Sequence, residues 1–212
     1  MNKELIKSSH WDLISGALLE GEYDMPCLQP IHNVEPVGLV PFHMAKYTKD
    51  PNHHWFHFYE YDYQFERIWN RPSRYLSILK RFAGGIGTDF SIYLDMPRSQ
   101  QIWNCWRNRV MTFFLQRNGI PIIPNVGWSD TESLKWAFDG IPSNSILSIT
   151  TQSCMGYDYE CKQSLLNGLH ELVRQKSPER IIIYGRFSDL WLTRFPVPIT
   201  VYDTYSQEKW GA

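Results

Sequence analysis

The sequence predicts an α/β fold in which helices alternate with the strands of a mainly parallel sheet. Three apolar, β-prone runs carry this prediction, at residues 89–94, 145–150 and 180–184. Segments with helical spacing separate them, and strands that alternate with helices form right-handed crossovers in a parallel sheet. The units are too few for a closed eight-stranded barrel, so we expect an open three-layer sheet or an incomplete barrel.

The first third of the chain shows weaker patterns. Residues 1–35 are predicted to form an N-terminal arm, with a short helix at 4–14 followed by a loop rich in Pro and Gly. The remaining residues, 36–212, are predicted to be a single α/β domain. Within it, residues 37–41 favour a short strand, and residues 47–63 favour a surface loop followed by a strand or edge segment.

Helices are predicted where apolar residues recur every three or four positions. These segments are residues 65–69, 74–82, 99–118, 133–138 and 159–175. Gly84 and Gly85 are expected to end the second helix, and the GGIG run at 84–87 is interpreted as a flexible connector, because a phosphate-binding loop follows its strand. Residues 120–126 carry two prolines and predict an irregular or edge strand, and residues 199–202 predict the last strand.

Composition narrows the classes of function. Lys and Arg total 21 and Asp and Glu total 22, which argues against broad, charge-driven binding of nucleic acid. The nine Trp residues favour a ring-rich core, with stacking platforms for bases or sugars as the alternative. The four cysteines form no CxxC pair and are expected to be free thiols. Without a signal peptide or a membrane-length apolar run, we expect a cytoplasmic protein with no membrane partner.

Polar residues that follow the predicted strands mark a candidate site, because the carboxyl ends of parallel strands meet at one rim. The predicted catalytic residues are Asp95, Asp130 and Arg107, and the predicted ligand-binding residues are Trp128, Asp89, Arg98 and Asp203. Carboxylates gathered there suit a divalent metal or an acid–base pair, and arginines suit a phosphate or carboxylate. The alternative for Asp95 and Asp130 is that each caps the helix that follows it.

Two other groups give weaker signals. His53 and His57 are four residues apart and lie near Glu60, but the preceding Pro-Asn pair and the aromatic β-formers favour a surface loop over a metal site. Cys154 would need a histidine base to act as a nucleophile, and His170 is the only histidine in that half of the sequence.

Seven motifs between residues 65 and 185 carry a family resemblance. They are F-E-R-x-W-N at 65–70, D-F-S-x-Y-x-D-M-P at 89–97, Q-x-W-N at 101–104, Arg107, P-x-V-x-W-x-D at 124–130, Asp139-Gly140, and I-x-Y-G at 182–185. Together they resemble the domain of unknown function 4417 family, whose members occur in bacteria, phages and other mobile elements. The resemblance implies a phage or plasmid setting and no established reaction.

Two hypotheses of function follow. In the first, the chain is a phage or mobile-element protein with a ligand or catalytic site at the strand ends, where metal-assisted chemistry acts on a nucleotide or nucleic acid and Trp128 stacks on a base. In the second, it is a non-enzymatic phage accessory protein that inhibits a host defence protein or sequesters its nucleotide signal. The aromatic segment at 53–63 would then be an exposed interface. The residues leave enzyme and binding protein both open and indicate no oligomeric state.

Overall fold

The computed structural model describes residues 9–152 and 159–210, and its strands are short and mostly parallel. They are β1 (Leu19–Glu20), β2 (Met25–Pro26), β3 (Leu39–Pro41), β4 (Trp55–His57), β5 (Gly84–Ile86), β6 (Ile122–Ile123), β7 (Ile146–Thr150), β8 (Arg180–Tyr184) and β9 (Ile199–Tyr202). The helices are α1 (Asp62–Asn70), α2 (Leu76–Leu79), α3 (Arg98–Arg117), α4 (Tyr159–Lys176), α5 (Asp189–Leu192) and α6 (Tyr205–Trp210). Strands and helices alternate from β4 onward, as the sequence predicts, except between β6 and β7. There the helix predicted at 133–138 is a 3-10 turn, Ser133–Lys135.

The seven strands β3 to β9 follow one another in space in chain order. They form a parallel four-stranded sheet, β3-β4-β5-β6, and a parallel three-stranded sheet, β7-β8-β9. A parallel bridge between Asn125 and Ser148 joins the two sheets, and the Ser148 amide donates to the carbonyl of Pro124 at 2.9 Å. Among the described residues, no pairing joins β9 to β3, so the sheet does not close.

An apolar cluster shows that this sheet curls. Side chains from β3 to β9 meet in it: Leu39, Trp55, Ile86, Ile123, Ile146, Ile182, Tyr184 and, partly buried, Tyr202. Residues of such distant strands share one cluster only if the sheet wraps around them. The predicted α/β class is therefore confirmed, in the form of an incomplete barrel.

The run of isoleucines in β8 shows why these strands are apolar on both faces. Ile182 points into the curled sheet, whereas Ile181 and Ile183 pack on the other side with Leu165 and Leu169 of α4. Successive side chains of a strand point to opposite faces, and helices cover the outer one. This explains the unbroken apolar pattern from which the strand was predicted.

The prediction of a strand at 89–94 and of a flexible connector at 84–87 is wrong. The glycine-rich run itself forms β5 inside the sheet. Glycine is needed there because a Cβ on Gly84 would lie 2.5 Å from the Trp55 ring and one on Gly85 would lie 2.2 Å from the Phe56 ring. The backbone at Phe90 bonds instead to the Asn108 side chain of α3, donating at 2.7 Å and accepting at 3.0 Å. Residues 89–93 are therefore an irregular segment beyond the strand end.

The prediction of an exposed aromatic segment at 53–63 is also wrong over most of its length. Trp55, Phe56, Phe58 and Tyr59 are buried, and β4 lies between β3 and β5 rather than at an edge. Aromatic residues suit a strand that is covered on both faces, and this explains the composition of the segment. Tyr61 and Tyr63, at the start of α1, are the exposed part.

The N-terminal residues pack onto the sheet and α3. Met25 of β2 and Leu28 are buried in the core that α4 also lines, and the Leu28 amide donates to the Gly140 carbonyl at 2.8 Å. Of the helix predicted at 4–14, residues 1–8 lie outside the described part of the chain, and Trp11–Ile14 form a 3-10 turn. The domain boundary at residue 35 stays a prediction.

Candidate functional site

A chain of hydrogen bonds runs from the carboxyl ends of β4, β5 and β6 to the middle of β7. The Tyr59 hydroxyl donates to Asn125 Oδ1 at 2.9 Å and lies 2.7 Å from the Ser148 hydroxyl. The Asn125 amide then donates to Asp89 Oδ1 at 2.8 Å and to the Thr88 carbonyl at 3.1 Å. Tyr59, Asn125 and Ser148 are all buried. We call Tyr59, Ser148, Asn125 and Asp89 the polar chain; it links the ends of three neighbouring strands to the middle of a fourth.

Arg109 of α3 holds the backbone that carries Asn125 of the polar chain. This buried arginine donates to the carbonyls of Asp139 at 3.0 Å, Ala137 at 2.5 Å and Asn125 at 3.4 Å. A planar guanidinium satisfies several carbonyls at once, so Arg109 fixes the loop after β6 against the helix. The backbone that presents the Asn125 side chain is thereby held in place.

Asp89 is the titratable end of the polar chain. Its carboxyl group lies in a desolvated environment, and this burial raises its pKa to about 7, helped by nearby Asp62 and opposed by the hydrogen bond from Asn125. The residue itself is only half-buried, and among the described residues nothing hydrogen-bonds its Oδ2. A carboxyl that gains and loses a proton near neutral pH has the property required of a general acid or base.

Asp62 is the second carboxylate of this rim. It accepts hydrogen bonds from the Ser91 hydroxyl at 2.8 Å and the Ser91 amide at 3.2 Å, whereas Asp89 accepts one, from Asn125. Asp62 is thus held by the Ser91 backbone and side chain, whereas one oxygen of Asp89 has no partner among the described residues.

His57 places a second unusual group beside the polar chain. Its Nδ1 accepts from the Tyr59 amide at 3.1 Å, so the proton of the neutral ring lies on Nε2. The ring is fully buried, and in the described part of the chain its Nε2 has no hydrogen-bond partner. Desolvation lowers its pKa to about 3, with a further contribution from His43. An unpaired N–H in the interior is costly and is offered to any acceptor that enters.

The rim near β3 and β8 is built from a histidine–glutamate pair and the start of α6. The His43 ring Nδ1 pairs with the buried Glu60 carboxylate, which also accepts from the His43 amide at 3.2 Å. The Tyr205 amide donates to the Tyr184 hydroxyl at 2.8 Å, and the Tyr184 ring lies 4.5 Å from that of His57. The first turn of α6 is thus tied to the side chains around His57.

Asp130 and Arg98, both predicted site residues, lie together in a different place. They form a two-pronged salt bridge at 2.8 and 3.1 Å, and Asp130 also accepts from the Ser133 amide at 2.8 Å. The hydrogen bond from Arg98 is the main cause that lowers the pKa of Asp130. Asp130 thus bonds the first amide of the 3-10 turn Ser133–Lys135, but the N-cap residue of that turn is Glu132, so Asp130 is not its N-cap. Asp95 is exposed, and Pro97 is the N-cap residue of α3, so Asp95 does not cap that helix either.

The other predicted site residues have separate surroundings. Arg107 is buried, pairs with Glu66 at 2.8 Å and lies 3.7 Å from the centre of the Phe90 ring. Trp128 donates its ring N–H to the Ser164 carbonyl at 3.1 Å and packs against α4, and Asp203 is exposed after β9. Only Asp89 of the predicted set belongs to the polar chain. The predicted catalytic and ligand-binding roles stay predictions.

The weaker candidates also have defined positions. His53 is exposed, His54 bonds to the Asp50 carbonyl, and His57 is interior, so the three histidines do not share a face. In the described part of the chain, no three His, Cys, Asp or Glu side chains are grouped to hold a metal ion. Cys154 lies outside the described residues, and exposed His170 packs on the Phe195 ring at 4.5 Å. Over residues 9–152 and 159–210, no helix combines the length and apolar character needed to cross a bilayer.

Sequence reasoning missed most of the polar chain. Tyr59 was assigned to an interface, and Asn125, Ser148 and His57 were not singled out for this role. Two signals were present: Ser148 is a polar residue within a buried apolar strand, and Asn125 follows a proline that interrupts the next strand.

Comparison with known proteins identifies the family. The profile described as "Domain of unknown function (DUF4417)" matches residues 18–203 and so includes much of the N-terminal arm. The Gene 1 protein of Mycobacterium phage L5 is 27% identical over 217 residues, which cover 96% of this chain and 93% of that protein. The Gene 1 protein of Mycobacterium phage D29 is 30% identical over 167 residues, covering 77% of this chain but only 61% of that protein. No solved structure matches the chain. The chain therefore belongs to the DUF4417 family, and its relatives include phage proteins.

Proposed function

We propose that this chain processes a small polar ligand at the carboxyl ends of its parallel strands, and that Asp89 exchanges a proton with that ligand. The observation that carries the proposal is the Asp89 carboxyl group, with its pKa near 7 and an oxygen that no described residue occupies. The polar chain holds the other oxygen in place. A positioned group whose pKa matches the working pH is an efficient proton donor or acceptor.

His57, at the Tyr59 end of the polar chain, supports the choice of ligand. Its Nε2, without a partner among the described residues, offers one donor in the interior, so a ligand with hydrogen-bond acceptors is favoured. The finer form of the proposal, metal-assisted chemistry on a nucleotide, draws support from Asp62 and Asp89, since carboxylate oxygens are what a divalent cation prefers. The location also agrees with the general position of ligand sites in parallel sheets.

Native mass spectrometry of the protein purified from its own host tests this proposal. We expect a bound small molecule in the wild type and in the control Asp50→Asn, whose residue is exposed and outside both the polar chain and the predicted site. Asp89→Asn should lose the molecule or hold an unprocessed form with a different mass. A folded Asp89→Asn protein that carries the same species at the same occupancy as the wild type would contradict the proposal.

The non-enzymatic alternative, binding of a host defence protein or capture of its nucleotide signal, is supported by a different surface. Tyr61 and Tyr63 are 70% and 76% exposed, and their rings stack at 5.9 Å. Exposed tyrosines are enriched at protein interfaces. If a host protein co-purifies, Tyr61→Ala combined with Tyr63→Ala should release it, whereas Tyr47→Ala, an equally exposed tyrosine, should not. Retention by the double variant would remove this alternative's support.

A further inference from the structure

A groove that shares no residue with the polar chain lies between the N-terminal segment and α3. Its volume is about 580 Å³. The 3-10 turn at Trp11–Ile14 and the residues around Tyr23 form one wall, and Trp103 and Trp106 of α3 form the other. The mechanism proposed for Asp89 does not use this groove.

The aromatic wall of the groove is ordered by ring packing. Trp103 and Trp106, one turn apart on α3, stack at 5.3 Å with their planes within 15°. The buried Trp69 meets both rings edge-on, at 5.6 and 6.2 Å. Even so, Trp103 remains 42% exposed and Trp11, on the opposite wall, 46% exposed. Fixed, half-exposed tryptophans on two walls form an apolar surface that suits a flat or cationic group.

Exposed acidic side chains predominate around the groove. Residues 11–24 contain four acidic residues and no Lys, Arg or His. Asp24 lines the groove, and none of the described basic side chains does. Two arginines lie nearby: Arg107, paired with Glu66, is 6.0 Å from the centre of the Trp103 ring, and Arg117 donates to the Ser15 carbonyl. Arg98, at the first turn of α3, is neutralised by Asp130, and Glu20 is occupied by the Gly140 amide, which leaves Asp12, Glu22 and Asp24 as exposed acids. A phosphate is repelled by this arrangement and a cation is attracted.

We propose that this groove docks a basic peptide segment of a partner protein, with an arginine guanidinium against the Trp103 ring and Asp24 as its counter-charge. Half-exposed tryptophans make a shallow groove, whereas small-ligand sites enclose most of their ligand. The exposed acids Asp12 and Glu22 extend the negative surface beyond the groove, which suits a segment with several basic residues. Guanidinium groups stack on indole faces more readily than ammonium groups do. This inference does not depend on the role of Asp89.

Fluorescence anisotropy with a fluorescein-labelled peptide of alternating Arg and Ala residues tests the inference. We expect Trp103→Ala to weaken binding by about fivefold, and Asp24→Asn to weaken it by about threefold and reduce its salt dependence. Trp11→Ala should also weaken binding, which keeps the test valid if Trp103→Ala is unfolded by circular dichroism. Matched controls are Leu190→Ala, an exposed apolar residue of α5, and Asp203→Asn, an exposed acid.

Three outcomes would overturn the inference. Wild-type affinity in both Trp11→Ala and Trp103→Ala would show that the tryptophans take no part. Equal weakening by Asp24→Asn and by the control Asp203→Asn would show that binding of the peptide depends on net charge alone. Tighter binding of a Glu–Ala peptide or of a single-stranded DNA oligomer would show that the groove prefers a different chemistry. Asp89→Asn should bind the Arg–Ala peptide like the wild type, which separates this test from that of the strand-end site.

Discussion

Replacing Asp89 with Asn is expected to stabilise the folded protein in a defined range of pH. The pKa of Asp89 is about 7 in the folded chain against an ordinary value of 3.8, so the folded state holds this proton more tightly than the unfolded state does. The wild type therefore loses stability as the pH rises from about 4 to about 7, and no more is lost above that. Asn stays neutral throughout, and its side-chain oxygen can still accept from Asn125.

The size of this gain in stability follows from the raised pKa of Asp89. A difference of about three pH units at 1.36 kcal/mol each gives an upper limit of about 4 kcal/mol. Because the residue is only half-buried, we expect about 2 to 4 kcal/mol above pH 7 and almost none below about pH 4. The extra free energy of unfolding of Asp89→Asn over the wild type should thus grow as the pH rises from about 4 to about 7.

Urea denaturation of both proteins across this range of pH measures the difference in free energy of unfolding. Carboxyl-carbon NMR gives a direct check, since a resonance with a midpoint near pH 7 should be missing from Asp89→Asn. Asp203→Asn serves as the control, because its exposed side chain is solvated in both states. A difference that stays constant with pH, or that is largest under acidic conditions, would refute the reasoning.

Three further substitutions separate structural from functional roles. Gly85→Ala places a Cβ 2.2 Å from a phenylalanine ring and should lower the free energy of unfolding by about 2 kcal/mol or more in urea, whereas Gly127→Ala meets no atom closer than 3.8 Å and should change it by less than about 0.5 kcal/mol. Arg109→Leu removes the donor to three carbonyls and should cost about 3 kcal/mol or more, against less than about 1 kcal/mol for Arg117→Leu, which is exposed on the same helix. Asp130→Asn breaks a partly exposed salt bridge and should cost less than about 1 kcal/mol by thermal unfolding, with ligand occupancy in native mass spectrometry unchanged. Loss of the ligand from a folded Asp130→Asn protein would instead support the predicted catalytic role.

Elements with a strong local pattern could be predicted from the sequence. The helix predicted at 99–118 is observed at Arg98–Arg117, because Trp, Val and Phe recur along one face regardless of what they contact. The strands at Ile146–Thr150 and Arg180–Tyr184 are likewise short apolar runs bounded by turns. In each case the information lies within the segment itself.

The strand at Gly84–Ile86 could not be predicted in this way. Glycine is unfavourable in strands, and here it is required because two aromatic rings of the neighbouring strand occupy the space of its side chains. The polar chain depends on contacts at longer range: Tyr59 and Asn125 are 66 residues apart, and Asn125 and Asp89 are 36 apart. Contacts between residues so far apart leave no periodic pattern in the sequence. Asp89 was singled out from its residue type and position, and its unusual pKa depends on neighbours that only the fold supplies.

The distribution of unpaired groups argues that the polar chain serves more than stability. Tyr59, Asn125 and Ser148 have their hydrogen-bonding groups paired, as a structural network requires. Of the described side chains, two have a buried polar atom without a hydrogen-bond partner, His57 at Nε2 and Arg107 at Nε, and His57 lies beside Tyr59. The desolvated Asp89 carboxyl adds a further cost at the other end of the polar chain, and a ligand can offset both costs at the polar chain. A strand-end network selected for stability alone would favour Asn over Asp at position 89, because Asn keeps the hydrogen bond and avoids burying a charge. A more stable Asp89→Asn protein that has lost its ligand would show that the destabilising carboxyl is retained for function.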